Sequence, residues 1–444
     1  MHFFNKKELI KKAINEKAYD IEPSTDDSPA KDETAATYED YLDVALLAGQ
    51  ITLGNGAETM RCEDTMNFIL SKSGTENYTT SVVSTTILAC IEGETKLTAI
   101  NRWDNNLNKI CLTNEVSRKF CDGKINIHDA KEALLNIKSK IIYKFPLRLI
   151  AYIFIGGFLP IFSGGGLYEC LAGTLCGIVM ALANTFFKHV HIRYFVVNML
   201  QSIIMVLCTY LVAYITKGAI NTEIVIAASI APMLPGLAMT NAVRDTIQGD
   251  YVSGGGRLME STVKSLSIVL GVTVGLMIGK YIPTYESTST FVDYSSTSLI
   301  VIAAALLVSA GYCIIMEVSP KYLVFAAVIG AVGRYIYLYL VSLELSSTIA
   351  VFAATAIITF FAHICARIAK APTSLFLISG IMSLVPGTFM YNSVTSFLSS
   401  QNAEGLEALI ETLLIAGAIS LAIFLVDTIF ISISLAKQKK LIEK

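Results

Sequence analysis

Polar and apolar positions divide this chain of 444 residues into two regimes. The first third mixes short helical and alternating patterns. Tyr41, Leu42, Ala45, Leu46, Ile51 and Leu53 form a helical stripe that stops at Gly54 to Gly56, and a second helix runs from Ala57 to about Ser71. Asn77 to Ile91 is rich in Thr, Val, Ser and Ile and predicts strand, with Gly93 turning it into Lys96 to Trp103. Two more helices follow, near Asn105 to Phe120 and Ile127 to Lys140, broken at Gly123. From Leu147 the pattern changes to ten long apolar segments, near 147–163, 167–187, 194–216, 223–248, 258–281, 298–316, 321–341, 348–368, 374–396 and 408–434. Each approaches the roughly 20 residues a helix needs to cross a bilayer.

The apolar part contains a repeat. Residues 230–241 read IAPMLPGLAMTN, and residues 381–392 read IMSLVPGTFMYN. Pro235, Gly236, Met239, Asn241 and Val243 match Pro386, Gly387, Met390, Asn392 and Val394 at one offset (386 − 235 = 151). Proline removes a backbone donor and clashes one turn back. In hydrocarbon the freed groups survive only where protein or a wet cavity satisfies them. Two broken helices at matching places in two halves mark a transporter's binding site, whereas either alone is an ordinary kink.

Composition sharpens this division. The chain is 53% hydrophobic with a mean hydropathy of +0.58, which indicates a multi-pass membrane protein. Of 70 charged residues (34 + 36), 41 precede residue 149. The expected organisation is a basic helix and acidic linker over 1–37, a cytosolic α+β domain over 38–146 and a first transmembrane repeat over 147–281. An extracellular linker (282–297), a second repeat (298–436) and a cytoplasmic tail (437–444) complete it. The linker is expected to be disordered and the basic helix to touch lipid headgroups or fray in water. No signal peptide is expected. Net charge −2 argues against nucleic acid. Nine scattered cysteines read as reduced thiols, and the five histidines make no metal-ligand spacing.

Basic residues orient the spans. Lys138, Lys140, Lys144 and Arg148 precede the first, and Lys188, Arg193, Arg244, Arg257, Lys321, Arg367, Lys370 and Lys437 mark every second loop and the tail. The positive-inside rule then places both termini in the cytoplasm of a cell-membrane protein. Five spans per repeat is an odd number, so the halves insert with opposite topology, as inverted repeats do.

The run from Gly56 to Met66 (GAETMRCEDTM), Arg102 with Asn106 to Ile110 (NLNKI), and Asn114 to Arg118 (NEVSR) onward to Gly123 resemble the cytosolic domain of the threonine/serine exporter family. The membrane part, with its two Pro-Gly helices, resembles that family's transport domain, here with both halves fused. The resemblance implies export of threonine and serine driven by the proton gradient. Split relatives of the family suggest succinate export as an alternative.

Candidate residues fall into three groups. Pro235, Gly236, Met239, Thr240 and Asn241, with Pro386, Gly387, Met390, Tyr391 and Asn392, are expected to line the substrate cavity. Helix ends exposed there would meet the carboxylate and ammonium of an amino acid. Asp427, Arg334 and Glu169 are ionisable groups in spans and candidates for proton coupling. Asp427 and Arg334 differ in depth by roughly 5 Å at 1.5 Å per residue, which leaves them within range to pair. Glu169 starts the second span at its outer mouth. Arg244 and Asp245 read as a local pair, and Gly271, Gly275 and Gly279 as steps for close helix packing. In the soluble part Glu58, Arg61, Glu63, Asp64 and Arg102 form a candidate polar site, the seed of a rival reading as a membrane-anchored enzyme or ligand sensor. No catalytic set, phosphate loop, metal cluster or cofactor signature supports catalysis. Small-residue faces allow a homodimer.

Overall fold

The computed structural model describes residues 36–442, apart from 101–103, 141, 191, 284, 286, 293, 295–297, 370, 383, 385–395 and 397–400. The N-terminal region opens with helices α1 (Tyr38–Gly54) and α2 (Thr59–Leu70). Three strands follow, β1 (Tyr78–Val83), β2 (Thr86–Ile91) and β3 (Glu94–Ala99), then α3 (Leu107–Cys121) and α4 (Ile127–Ser139). The strands form an antiparallel meander in chain order. The single strand expected over 77–91 is in fact two, because the chain reverses at Ser84 and Thr85. The turn at Gly93 appears where expected. Glu92 (φ 48°) and Gly93 (φ 85°) are both left-handed, the geometry that matches strand twist in a two-residue hairpin. Ile87, Ala89 and Ile91 alternate into a core shared with Leu42 and Leu53 of α1, Met66 of α2 and Leu134 of α4. Asn106 and Asn126 cap α3 and α4, each accepting a backbone N–H three residues on.

The rest of the described chain is helical. Seven helices are long and apolar enough to cross a bilayer. They are α5 with its 3-10 extension (Phe145–Ser163), α6 (Leu167–Lys188), α7 (Tyr194–Ile215), α10 (Tyr251–Gly279), α12 (Pro320–Ser342), α13 (Ser347–Ala369) and part of α15 (Asn402–Ile442). An eighth candidate is a bent pair: α8 (Thr222–Ile230) and its 3-10 end meet α9 (Gly236–Ile247) at 55°. Helix α11 (Leu299–Ile315) is apolar but short, and α14 (Thr373–Ile381) leads toward residues 385–395. The described residues thus hold seven or eight candidate spans rather than ten. The second Pro-Gly copy, Pro386 to Asn392, lies outside the described residues, as does Arg102.

Backbone-to-backbone contacts set the helix packing. A Cβ on Gly156 of α5 would sit 2.3 Å from the Gly173 carbonyl oxygen of α6, and one on Gly173 2.0 Å from that of Gly156. A Cβ on Gly271 of α10 would sit 2.3 Å from the Met199 carbonyl of α7, and one on Gly275 2.8 Å from Val206. The glycine steps read from the sequence therefore serve packing within the chain. Large apolar side chains such as Leu175, Leu182 and Phe186 of α6 face outward, as lipid-facing positions do.

Candidate functional site at the broken helix

Pro235 breaks the α8–α9 pair and stands at the N-cap of α9. Leu234 before it is extended (ψ 138°), as a residue preceding proline is pushed to be. One turn in, Thr240 donates to the Gly236 carbonyl (3.1 Å) and accepts Ser420 of α15 at its own carbonyl (3.4 Å). Met239, Thr240 and Asn241 of α9 are all buried. This half of the expected substrate region is therefore interior and polar.

The same helix ends in a charged cluster that joins it to the N-terminal region. Arg244 is buried and forks between two carboxylates: Nη1 donates to Glu58 Oε1 (2.7 Å) and Nη2 to Asp427 Oδ2 (3.2 Å). The other oxygen of Asp427 meets His363 Nε2 of α13 at 2.6 Å. The His363 ring lies flat on Phe430 of α15, with centroids 4.3 Å apart and 9° between planes. Asp245, fully buried, accepts from Thr59 Oγ1 (3.3 Å) and lies 3.2 Å from Arg257 Nε of α10. Arg257 also donates to the Ala57 carbonyl (2.8 Å). The start of α2 is thus bound directly to α9 and α10, and to α15 only through Arg244. Arg61, one turn on, donates to Ser374 of α14.

Several expectations change here. Asp427 does not pair with Arg334. Its partners are Arg244 and His363, and the Arg334 guanidinium lies 4.5 Å from the Phe162 ring and 5.1 Å from that of Tyr337. Depth along two helices cannot report which faces they turn to each other, and that decides the pairing. Arg244 and Asp245 are no local pair, because neighbouring helical residues diverge by about 100°. Glu169 is a brace: Oε2 accepts from Gly166 N (2.9 Å), and Oε1 from Asn221 N (2.8 Å) and Ser289 Oγ (2.6 Å). The soluble polar site divides. Glu58 and Arg61 face the membrane helices, Glu63 accepts from Val82 N of β1 (3.1 Å), and Asp64 is exposed. His363 escaped the sequence reading, although a lone ionisable ring within an apolar span was signal enough.

A second clamp lies at the turn between α11 and α12. Leu107 and Asn108 donate their N–H groups to the carbonyls of Met316 (2.9 Å) and Glu317 (3.1 Å). Asn106 and Arg148 both donate to the Glu317 carboxylate, and Tyr143 donates to the Val318 carbonyl (2.6 Å). Burial pushes the Glu317 carboxyl above the usual carboxylate range, against the pull of Arg148.

A family model described as "Putative threonine/serine exporter" matches residues 43–279. A second, "Threonine/Serine exporter, ThrE", matches residues 301–429. A "Threonine/serine exporter" of Corynebacterium glutamicum is 24% identical over 403 residues, covering 86% of this chain and 81% of its own. An uncharacterised protein of Schizosaccharomyces pombe is 25% identical over 179 residues, 38% of this chain and 21% of its own. No solved structure matches.

Proposed function

The chain belongs to the threonine/serine exporter family, and from that premise we propose that it exports threonine and serine across the cell membrane by proton antiport. The family is one of transporters rather than enzymes, which removes the membrane-anchored enzyme reading. The observation that carries the proposal is the broken α8–α9 pair, which puts a helix start without a side-chain cap, among the described residues, beside the buried Thr240 and Asn241. Such an end favours the carboxylate of an amino acid, and short polar side chains suit its hydroxyl.

We read the membrane part as ten spans in two inverted repeats. Helices α8 and α14, Thr222–Ile230 and Thr373–Ile381, are equally long and stand at the offset of the Pro-Gly repeat (373 − 222 = 151). The second site half then comes from Pro386, Gly387, Met390, Tyr391 and Asn392. Basic loops favour a cytoplasmic N-terminal region and cytoplasmic termini. Asp427 is our candidate for the proton, since Glu169 already accepts three hydrogen bonds and Arg334 carries a fixed charge.

The test is flux of labelled threonine in proteoliposomes with and without an imposed pH gradient, with serine and succinate as competitors. Gradient-dependent threonine flux inhibited by serine is expected. Succinate flux with threonine silence would reassign the substrate, and threonine flux indifferent to the gradient would remove antiport.

A further inference from the structure

We propose that His363 is the proton-accepting partner of Asp427, and that this pair sets how tightly the N-terminal region closes on the transport helices. The inference deepens the antiport reading by giving the coupled proton a place and a consequence.

The argument is one of charge. Closed, the hydrogen-bonded cluster holds three carboxylates, Glu58, Asp245 and Asp427, and two guanidiniums, Arg244 and Arg257. That leaves one negative charge in excess, and four of the five groups are nearly excluded from solvent. An unbalanced charge in such a place is costly. One proton on His363, 2.6 Å from Asp427, brings the cluster to neutrality.

If α2 lifts away, Glu58 and Thr59 leave with it. Arg244 then balances Asp427 and Arg257 balances Asp245, with no proton needed. Closing therefore takes up one proton and opening releases it.

The surroundings do not cancel this balance. Arg367, one turn beyond His363 on α13, lies 4.9 Å from the same Phe430 ring but is exposed and screened. On α12, Lys321 and Arg334 lie over aromatic rings. On the α14 side Arg61 is held by Ser374, and Asp250 caps α10 through Ser253 N. By linkage, a closure that takes up one proton strengthens as pH falls, by up to about tenfold per pH unit.

The hairpin tip of β1 and β2 supplies the reporter. A Cβ at Gly256 of α10 would lie 3.5 Å from the Ser84 Cβ, within disulfide reach of about 3.5–4.5 Å. The experiment uses the full chain carrying S84C and G256C in proteoliposomes without substrate. It is oxidised briefly with copper phenanthroline and quenched with N-ethylmaleimide, and the link is identified by peptide mass. Thiol reactivity itself changes with pH, so the rate at each pH is divided by the rate in a His363→Gln background. We expect this ratio to rise several-fold from pH 8 to pH 5.5. Asp427→Asn should abolish the rise, and a flat ratio in the presence of His363 overturns the proposal. If the cysteine pair does not fold, amide exchange at residues 57–62, corrected for intrinsic rate, is expected to slow at low pH and to lose that response in His363→Gln. Threonine flux with a flat ratio refutes the latch and leaves the exporter standing. A rising ratio without threonine flux does the reverse.

Discussion

At the residue scale, Arg244 carries more than any other side chain in the cluster, because two carboxylates depend on it. Arg244→Ala leaves Glu58 and Asp427 without the guanidinium that joins them. Breaking such a buried pair costs about 3–5 kcal/mol, so the melting temperature in detergent should fall, and by more than in Glu58→Gln. Asn241→Ala should behave differently, losing threonine flux while the melting temperature stays within a few degrees of the parent. Wild-type flux in that variant would remove Asn241 from the substrate region. Asp43 offers a check on sign. Burial raises its pKa, but Lys131 and Lys96 outweigh that and hold the carboxyl below its usual range. A folded pKa below the unfolded one gives stability present above the unfolded value and lost as pH falls through the folded one. Asp43→Asn should therefore be less stable than the parent at pH 7, and the difference should shrink as pH falls below the usual carboxylate range. The sequence singled out Asp427 as a candidate but not its partners. A pairing between three helices and a soluble region depends on rotation and docking, which no local pattern encodes.

At the element scale, the helix crossings rest on glycine. Gly156→Ala must push α5 from α6, since its Cβ would overlap the Gly173 carbonyl. Overpacking of this kind costs about 1–3 kcal/mol or more. Gly417→Ala on α15 meets nothing within 4 Å, and alanine favours a helix over glycine by about 1 kcal/mol. Thermal melts of the two should move in opposite directions. Most elements were legible from the sequence. The helices of the N-terminal region, the Gly93 turn and the bent fourth segment lie where periodicity and punctuation put them. The first hairpin was not legible, because Ser84 and Thr85 lack the glycine or asparagine that announces a tight turn. Helix α11 was anticipated near 298–316 but measures only 17 residues, ending at a left-handed Glu317 (φ 52°) that meets α3.

At the scale of the whole molecule, the N-terminal region is bound at two places with different chemistry. One is the charged cluster below α9 and α15, and the other the backbone clamp at Met316 to Val318. Leu107 and Ile110 of α3 also share a core with α12 and α14. A chain divided early into soluble and membrane parts by charge density alone would not foretell so close a union. Gradient-driven flux should therefore depend on the region being docked. Asn106→Ala with Tyr143→Phe, which weakens the second clamp only, should lower threonine flux several-fold while leaving the pH response of the first intact. Unchanged flux would show that one clamp suffices.

The second clamp also bears on how such a protein can be inherited. Arg148, Asn106 and Tyr143 lie before the stretch at 280–298, and Glu317 and Val318 after it. Gly311 of α11 approaches the Ala151 carbonyl of α5 so closely that a Cβ there would sit 2.8 Å away. The two parts thus recognise each other through surfaces that owe nothing to covalent continuity. Cut within that stretch and made from two reading frames, the halves should still find one another in the bilayer.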